Sequence, residues 1–563
     1  SISIPNLDRV LKKTGEFIRY QTDPYDPFSL SSNYIYSICE DRFSNIWIGT
    51  MNGLNLYNRI TKHFKRFFSD PSNPTALINN TIRSILEDRT GVLWVGTHSG
   101  LSRFDQEGKQ FNHIHAKIND PNSLSSSDTY AIYQDKDQTL WIGTYGGGLN
   151  KYIPDKNKYI HYRHDPHDPN SLSNDYIRTV AEDHTGTFWI GTYGGGLNRF
   201  NPKQEKFFHY RANPGDPKSI SSDQIRWIYK DSTQTLWIAT VNGLNKYDRE
   251  NDNFTHFKHD PEESGSLSND FVYIIFEDKY NTLWIGTLEG LNRYDRETNT
   301  FYAYFSDHDD TNSLSSSEIL SMYEDKTGRF WIGTGVGLNN FDRENQKFTR
   351  YTIRDGLPNN VIYAIGEDNN GNLWISTNQG LSKFDPLSGF FRNFDAKVGL
   401  QSNEFSLGAV LVKPDGEMYF GGINGITTFY PQDINDNPFI PPVVITDIQV
   451  LNRSIQVGRS HDSHVTLKKT PPYSKEITLG YKARLINIEF AALHYASPEN
   501  NRYKYKMEGL EDTWYDIGER NFASFTNIPP GDYNFKVIGS NNDGLWNNEG
   551  ASLRIIITPP FWK

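Results

Sequence analysis

A tryptophan returns along most of this chain at an almost constant interval, and that regularity constrains the fold more than any other feature. Trp47, Trp94, Trp141, Trp189, Trp237, Trp284, Trp331 and Trp374 all stand in stretches like "LWIGT", and Tyr419 takes the same place in a weaker ninth copy, "EMYFGGINGI". Successive intervals run from 43 to 48 residues, the length of one four-stranded propeller blade. The near-duplicates "LWIGTYGGGLN" (140–150) and "FWIGTYGGGLN" (188–198) are therefore copies of a scaffold unit first.

One unit shows the strand logic. "YIYSICED" (34–41) is rich in β-formers, "RFSN" is a turn, and "IWIGTMNG" (46–53), "LNLYNR" (54–59) and "KHFKRFF" (62–68) supply three further strands. Apolar residues on both faces of such strands fit a sheet sandwiched between neighbours. Gly49 and Gly53 suit close approach and tight turning. Asp41 and Asn45 flank the first turn, where short polar side chains bond local backbone.

Composition agrees with many short strands: 14% aromatic residues, 44 glycines and 27 prolines in 563 residues, with no long heptad pattern. A net charge of −11 without a Lys/Arg block argues against nucleic acid as a partner. The single cysteine, Cys39, excludes an internal disulfide framework and a cysteine-based zinc site. No stretch approaches the ~20 apolar residues of a membrane-spanning helix. The chain starts inside a pattern, "SISIPNLDRV", so a piece of a longer protein is expected.

The ends of the array suggest how the ring closes. Residues 14–21 resemble a fourth strand without its first three, and 403–431 resemble three strands lacking a fourth. Joining them removes the exposed sheet edges. The expectation is an all-β chain with a single closed β-propeller over 1–434, of nine blades, with seven or eight as alternatives. A proline-rich linker, 435–442, then leads to alternating strands in 443–563 that suggest an immunoglobulin-like β-sandwich.

Positions that differ between equivalent units are free to specialise. Taking the third residue after the Asn, Asp or Glu that ends each inter-blade loop gives Tyr36, Arg83, Ala131, Arg178, Arg226, Tyr273, Ser321, Tyr363 and Ser406. Arginine binds carboxylate or sulfate through a planar fork, and tyrosine stacks on sugar faces and bonds their hydroxyls. The candidate ligand-binding set is therefore Tyr36, Arg83, Arg178, Arg226, Tyr273 and Tyr363, with Tyr145, Tyr193 and Trp227 adding aromatic surface. Two short inter-blade loops, 352–360 and 395–403, lower the rim on one side.

The unit "NDYIRTVAEDHTGTFWIGTYGGGLNRF" resembles the two-component regulator propeller repeat. The tail resembles the three-tyrosine (Y_Y_Y) domain that follows such propellers, through Tyr503, Tyr505, Trp514, Gly531, Tyr533, Gly544, Trp546 and Pro559-Pro560-Phe561-Trp562. The resemblance implies the periplasmic or extracellular sensor of a one-pass bacterial inner-membrane receptor, with a transmembrane helix expected beyond Lys563. A histidine kinase, hybrid kinase or diguanylate cyclase would be the output. It also implies an oligosaccharide or other polar small-molecule ligand and a homodimer through the C-terminal sandwich.

Two other function classes remain as alternatives. A propeller glycosidase or lyase would need an acid–base or nucleophile–base pair. The recurrent acids Asp41, Asp88, Asp135, Asp183, Asp231, Asp278, Asp325 and Asp368 sit at equivalent turns, which marks them as turn formers. The loop histidines His113, His115, His161, His164 and His167 have no metal-ligand spacing, so no catalytic residue, metal or cofactor is assigned. The second alternative is a protein-binding surface scaffold.

Overall fold

Each repeat tryptophan is fixed by the aspartate six residues before it. In the computed structural model, which describes residues 4–5, 7–10, 14–71, 76–105, 111–156, 158–434, 437–458, 467 and 469–560, Trp47 Nε1 donates to Asp41 Oδ2 at 2.8 Å. The other oxygen of that carboxylate accepts the backbone N–H groups of Phe43 and Asn45. The Trp–Asp bond recurs at Trp94, Trp141, Trp189, Trp237, Trp284, Trp331 and Trp374, at 2.7–3.1 Å. One carboxylate thus closes a turn and satisfies a buried indole N–H. The periodic aspartates are scaffold, as the sequence implied.

Residues Gly108–Ile434 form one compact unit, a closed ring of seven sheets. Blade 1 consists of Thr129–Gln134, Leu140–Thr144, Gly148–Ile153 and Lys158–Tyr162. The innermost strands of blades 2 to 6 are Ile177–Glu182, Ile225–Lys230, Val272–Glu277, Ile319–Glu324 and Ile362–Glu367. Blade 7 has Phe405–Val412, Met418–Gly422 and Gly425–Phe429, completed by Asn112–Ile114 pairing antiparallel with the last of these. Apolar clusters fill the clefts between neighbouring blades; Trp141, for example, packs with Ile177, Phe188 and Phe200 of the next one. A Cβ at Gly143 would overlap Ile177 of blade 2, which is why the residue after Trp-Ile is glycine.

The chain is all-β and its ring is closed; the ring has seven members, one of the alternatives to the expected nine, and its closure differs from the expected one. Phe17–Tyr20 pairs with Leu7–Val10, not with 403–431. The segments around Phe17 and Phe111 look alike as orphan fourth strands, so local sequence cannot say which one completes blade 7. The number of wedges that fills a circle decides it.

Residues Ser1–Glu107 and Asn435–Lys563 form the other compact unit. It holds a five-stranded sheet built around Tyr34–Glu40, Ile46–Thr50, Gly53–Tyr57 and Phe64–Phe67, and a three-stranded sheet of Ile82–Glu87, Val92–Thr97 and Gly100–Asp105. Its C-terminal part packs a four-stranded and a five-stranded sheet face to face. The shared core includes Ile445, Ile488, Phe490, Phe535 and Ile555. Tyr503 is buried there, its hydroxyl accepting the Ala492 N–H, while Tyr533 donates to the Pro529 carbonyl. Phe561 and Trp562 lie outside the described residues.

The described part of the expected linker, 437–442, is held by hydrogen bonds. Asn437 is buried, its side-chain amide donating to the Thr90 carbonyl at 2.7 Å and its backbone N–H to Asp543 Oδ2 at 2.7 Å. Asn541 in turn donates to the Asn437 and Phe439 carbonyls.

Candidate functional site

A repeated irregularity in the innermost strands builds the mouth of the ring. In blades 1 to 6 the register between the first two strands shifts by one residue, at Thr129/Ala131, Ile177/Thr179, Ile225/Trp227, Val272/Ile274, Ile319/Ser321 and Ile362/Ala364. A β-bulge leaves one residue unpaired and re-aims its side chain. The residues so displaced are Tyr130, Arg178, Arg226, Tyr273, Leu320 and Tyr363.

Aromatic faces hold the two arginines. Arg178 Cζ lies 4.1 Å from the Tyr130 ring centre, 5.4 Å from Tyr193 and 5.8 Å from Tyr145. Arg226 Cζ lies 4.9 Å from Tyr273 and 5.2 Å from Phe271. Such contacts stabilise a cation while leaving its in-plane donors free to meet a ligand. Arg178 Nε is buried and takes no hydrogen-bond partner, and neither does the buried Asp128 Oδ1.

Electrostatics link these groups. Burial, together with the charge on Arg178, pushes the Arg226 guanidinium down to about 10, against the pull of Tyr273, Tyr193 and Tyr130. Burial raises the Asp128 carboxyl, and Arg178 opposes that shift. Tyr273 is pushed up to about 12 by burial and by the bond it donates to Glu318 Oε1 at 2.9 Å. Tyr363 is raised by burial and by Tyr130, Glu404 and Glu318. The mouth is thus polarised, with cations on blades 2 and 3 and carboxylates on blades 1, 5 and 7.

Trp227 floors this mouth. It starts on blade 3 and reaches Gly408 on blade 7, where a positive φ of 73° makes room for the ring. The blade 7 strand is irregular there, its pairing jumping from Phe405 to Val410. The Trp227 indole thus bridges blades 3 and 7 across the ring.

The sequence-derived set divides between the two units. Arg178, Arg226, Trp227, Tyr145, Tyr193, Tyr273 and Tyr363 belong to the ring. Tyr36 and Arg83 belong to the other unit, where Arg83 lies 4.6 Å above the Tyr36 ring, so they are not part of this mouth. Ala131 and Ser321 are not the equivalents of Arg178, which are Tyr130 and Leu320. Counting back eleven residues from each tryptophan gives the right slot in blades 1 to 6; the loop-ending residue shifts by one in blades 1 and 5 and misleads. Of the loop histidines, His161 and His164 bond the Ser123 and Leu172 carbonyls, a structural role.

The two component regulator propeller family matches at 29–52, 76–99, 123–146, 171–194, 266–289, 313–335 and 356–379, and the Y_Y_Y domain at 494–558. This chain carries two-component regulator propeller repeats followed by a Y_Y_Y domain. A histidine kinase, P4, from Formosa agariphila is 33% identical over 162 residues, covering 29% of this chain and 12% of that protein. The extracellular domain of a hybrid two-component system from B. thetaiotaomicron is 27% identical, with a TM-score of 0.67, over 98% of this chain and 75% of that one.

Within this regulator propeller blades 3 and 7 fall outside the matched segments, blade 3 between the fourth and fifth and blade 7 after the last. In blade 3 Ala239 replaces the glycine of the "WIGT" stretch, as Ser376 does in blade 6, and Arg226, Trp227 and Lys230 occupy the innermost strand of blade 3.

Proposed function

We propose that this chain is the extracytoplasmic sensing region of a two-component-type membrane receptor, and that its ring mouth binds an oligosaccharide or another polar small molecule. The supporting observation is the pair Arg178 and Arg226. Both are aimed by bulges into one cup and lie over aromatic rings, and neither makes an ion pair among the described residues. Tyr130, Tyr193 and Tyr273 offer faces for stacking on sugar rings, and Glu318 and Glu404 offer acceptors for hydroxyls.

Signal passage would use the Y_Y_Y domain. Its edge strand Glu511–Gly518 leaves Trp514 and Tyr515 each 40% exposed, a surface suited to homodimer contact. A ligand signals only through a difference in affinity between two arrangements of such a dimer. The output enzyme, a histidine kinase, hybrid kinase or diguanylate cyclase, would read that arrangement.

A glycan array followed by calorimetry on the purified chain tests the reading. A saccharide that binds the wild type and not Arg178→Ala/Arg226→Ala, with the melting temperature of both proteins equal, supports it. Unchanged affinity in that double variant removes the mouth as the site. Turnover of the saccharide would replace the sensor reading by an enzyme.

A further inference from the structure

The two arginines of the mouth are set apart from other arginines of the same ring. Arg249, Arg296, Arg329 and Arg343 each hold a carboxylate at 2.7–2.8 Å. Arg226 makes neither an ion pair nor a hydrogen bond among the described residues and meets only the rings of Tyr273 and Phe271. Arg178 makes no ion pair there either, and its buried Nε has no partner.

At Arg178 the replacement for a carboxylate is aromatic. The residue after the threonine that ends each second strand donates its N–H to a carbonyl at the head of an innermost strand. In blades 1 to 5 that residue is Tyr145, Tyr193, Val241, Leu288 and Gly335. Only the first two of these are tyrosines, and together with Tyr130 their rings lie 4.1–5.8 Å from the one guanidinium. Ring faces hold a cation in place but bring it no counter-charge.

The carboxylates of the mouth do not supply that charge. Burial raises the Asp128 carboxyl against the pull of Arg178, and its Oδ1 is itself buried without a partner. Glu318 accepts from the Tyr273 hydroxyl. Burial and the neighbouring charge of Arg178 both lower Arg226. Two adjacent cations that are partly desolvated and unpaired are costly to keep charged. An oxyanion shared by both guanidiniums relieves the burial cost and the repulsion together, through charge-assisted bonds. A neutral hydroxyl accepts a bond and leaves the repulsion standing.

The surroundings indicate what carries the oxyanion. Tyr176, 40% exposed, lies 4.3 Å from Tyr145 and continues the aromatic surface outward. Aromatic faces beside the acceptors Glu318 and Glu404 suit a ring that bears hydroxyls. Resting on the mouth reading above, we infer that the ligand is an acidic sugar. Its carboxylate or sulfate bridges Arg178 and Arg226, its hydroxyls meet Glu318 and Glu404, and neutral saccharides are rejected.

The test uses pairs of sugars that differ only in the acidic group, titrated calorimetrically into the full chain: digalacturonate against 1,4-galactobiose, cellobiouronate against cellobiose, and galactose 6-sulfate against galactose. At least one acidic member is expected to bind roughly tenfold or more tighter than its neutral partner, and which pair responds separates carboxylate from sulfate. That binding is expected to vanish in Arg178→Ala/Arg226→Ala. Should this variant melt lower than wild type, Arg178→Lys/Arg226→Lys, which keeps the charges and removes the planar forks, is expected to weaken the acidic member while keeping it ahead of the neutral one. Equal binding of acidic and neutral members, lost in the alanine variant, would overturn the acidic ligand and leave the mouth as the site. Acidic binding that survives in the alanine variant would overturn both. If no member of any pair binds, the acidic ligand is overturned, and the mouth stands or falls by the glycan array alone.

Discussion

The indole of Trp227 closes on Gly408 so tightly that a Cβ there would stand 2.5 Å from Trp227 Cζ3. Two blades on opposite sides of the ring thereby touch, and the floor of the cup exists because one residue has no side chain. Gly408→Ala adds both that overlap and strain at φ +73°. A loss of about 1–3 kcal/mol is expected, read by urea unfolding, with a shift in tryptophan emission as the indole is displaced. An unaltered emission spectrum would show that the floor is not set by this contact.

Tyr130 supports Arg178 from below its guanidinium plane. Tyr130→Ala should leave the melting temperature within a few degrees of wild type. It should weaken a mouth ligand by about 0.5–2 kcal/mol, the range of a partly desolvated cation–π contact. Tyr130→Phe, which keeps the ring, should restore most of that loss in the same titration.

The turn aspartates that hold the repeat tryptophans set the acid limit. Burial alone would raise the Asp183 carboxyl, but the bonds from Thr185, Arg249 and Trp189 outweigh it and hold it well below the ordinary carboxylate value. Asp231 and Asp325 are lowered in the same way. A carboxylate lower in the folded than in the unfolded chain contributes stability that is whole above the unfolded value of about 3.9 and is lost as pH falls through that range. Thermal melts should therefore be flat from pH 8 to about 5 and drop steeply below about 4, with Asp183→Asn blunting the acid slope.

The opposite sign holds at high pH. Burial pushes Tyr133 and Tyr229 up to about 12. Their neutral forms are favoured by the fold, so that contribution is complete below the unfolded value of about 10 and disappears as pH rises toward 12. Tyrosine absorbance followed through alkaline titration should show a class that ionises only together with unfolding.

Asn437 holds the segment after the ring through Thr90 and Asp543. Asn437→Ala strands the buried Thr90 carbonyl and should cost about 1–3 kcal/mol. In native-state hydrogen exchange, faster exchange of the Thr90 turn and of 437–441, with the β-sandwich core unchanged, would mark the loss as local.

The sequence by itself determined the unit. The Trp–Asp pair, the glycine two residues after most of the tryptophans and the alternating apolar strands are local requirements, so a 43–48-residue period exposed them without any knowledge of neighbours. It also placed Arg178, Arg226, Tyr273 and Tyr363 on the specialised position, because departures from a repeat are visible wherever the repeat is strong. Tyr130 escaped because the loop-ending residue was the wrong landmark in blade 1, and Glu318 and Glu404 escaped because they precede the innermost strands and only the folded ring brings them to Tyr273 and Tyr363. The number of blades, the choice of Asn112–Ile114 as the closing strand, and the reach of Trp227 to Gly408 were decided by tertiary structure alone. Those depend on how wedge-shaped sheets fill a circle and on which residues face one another across it, and two residues nearly two hundred positions apart carry no local mark of being neighbours.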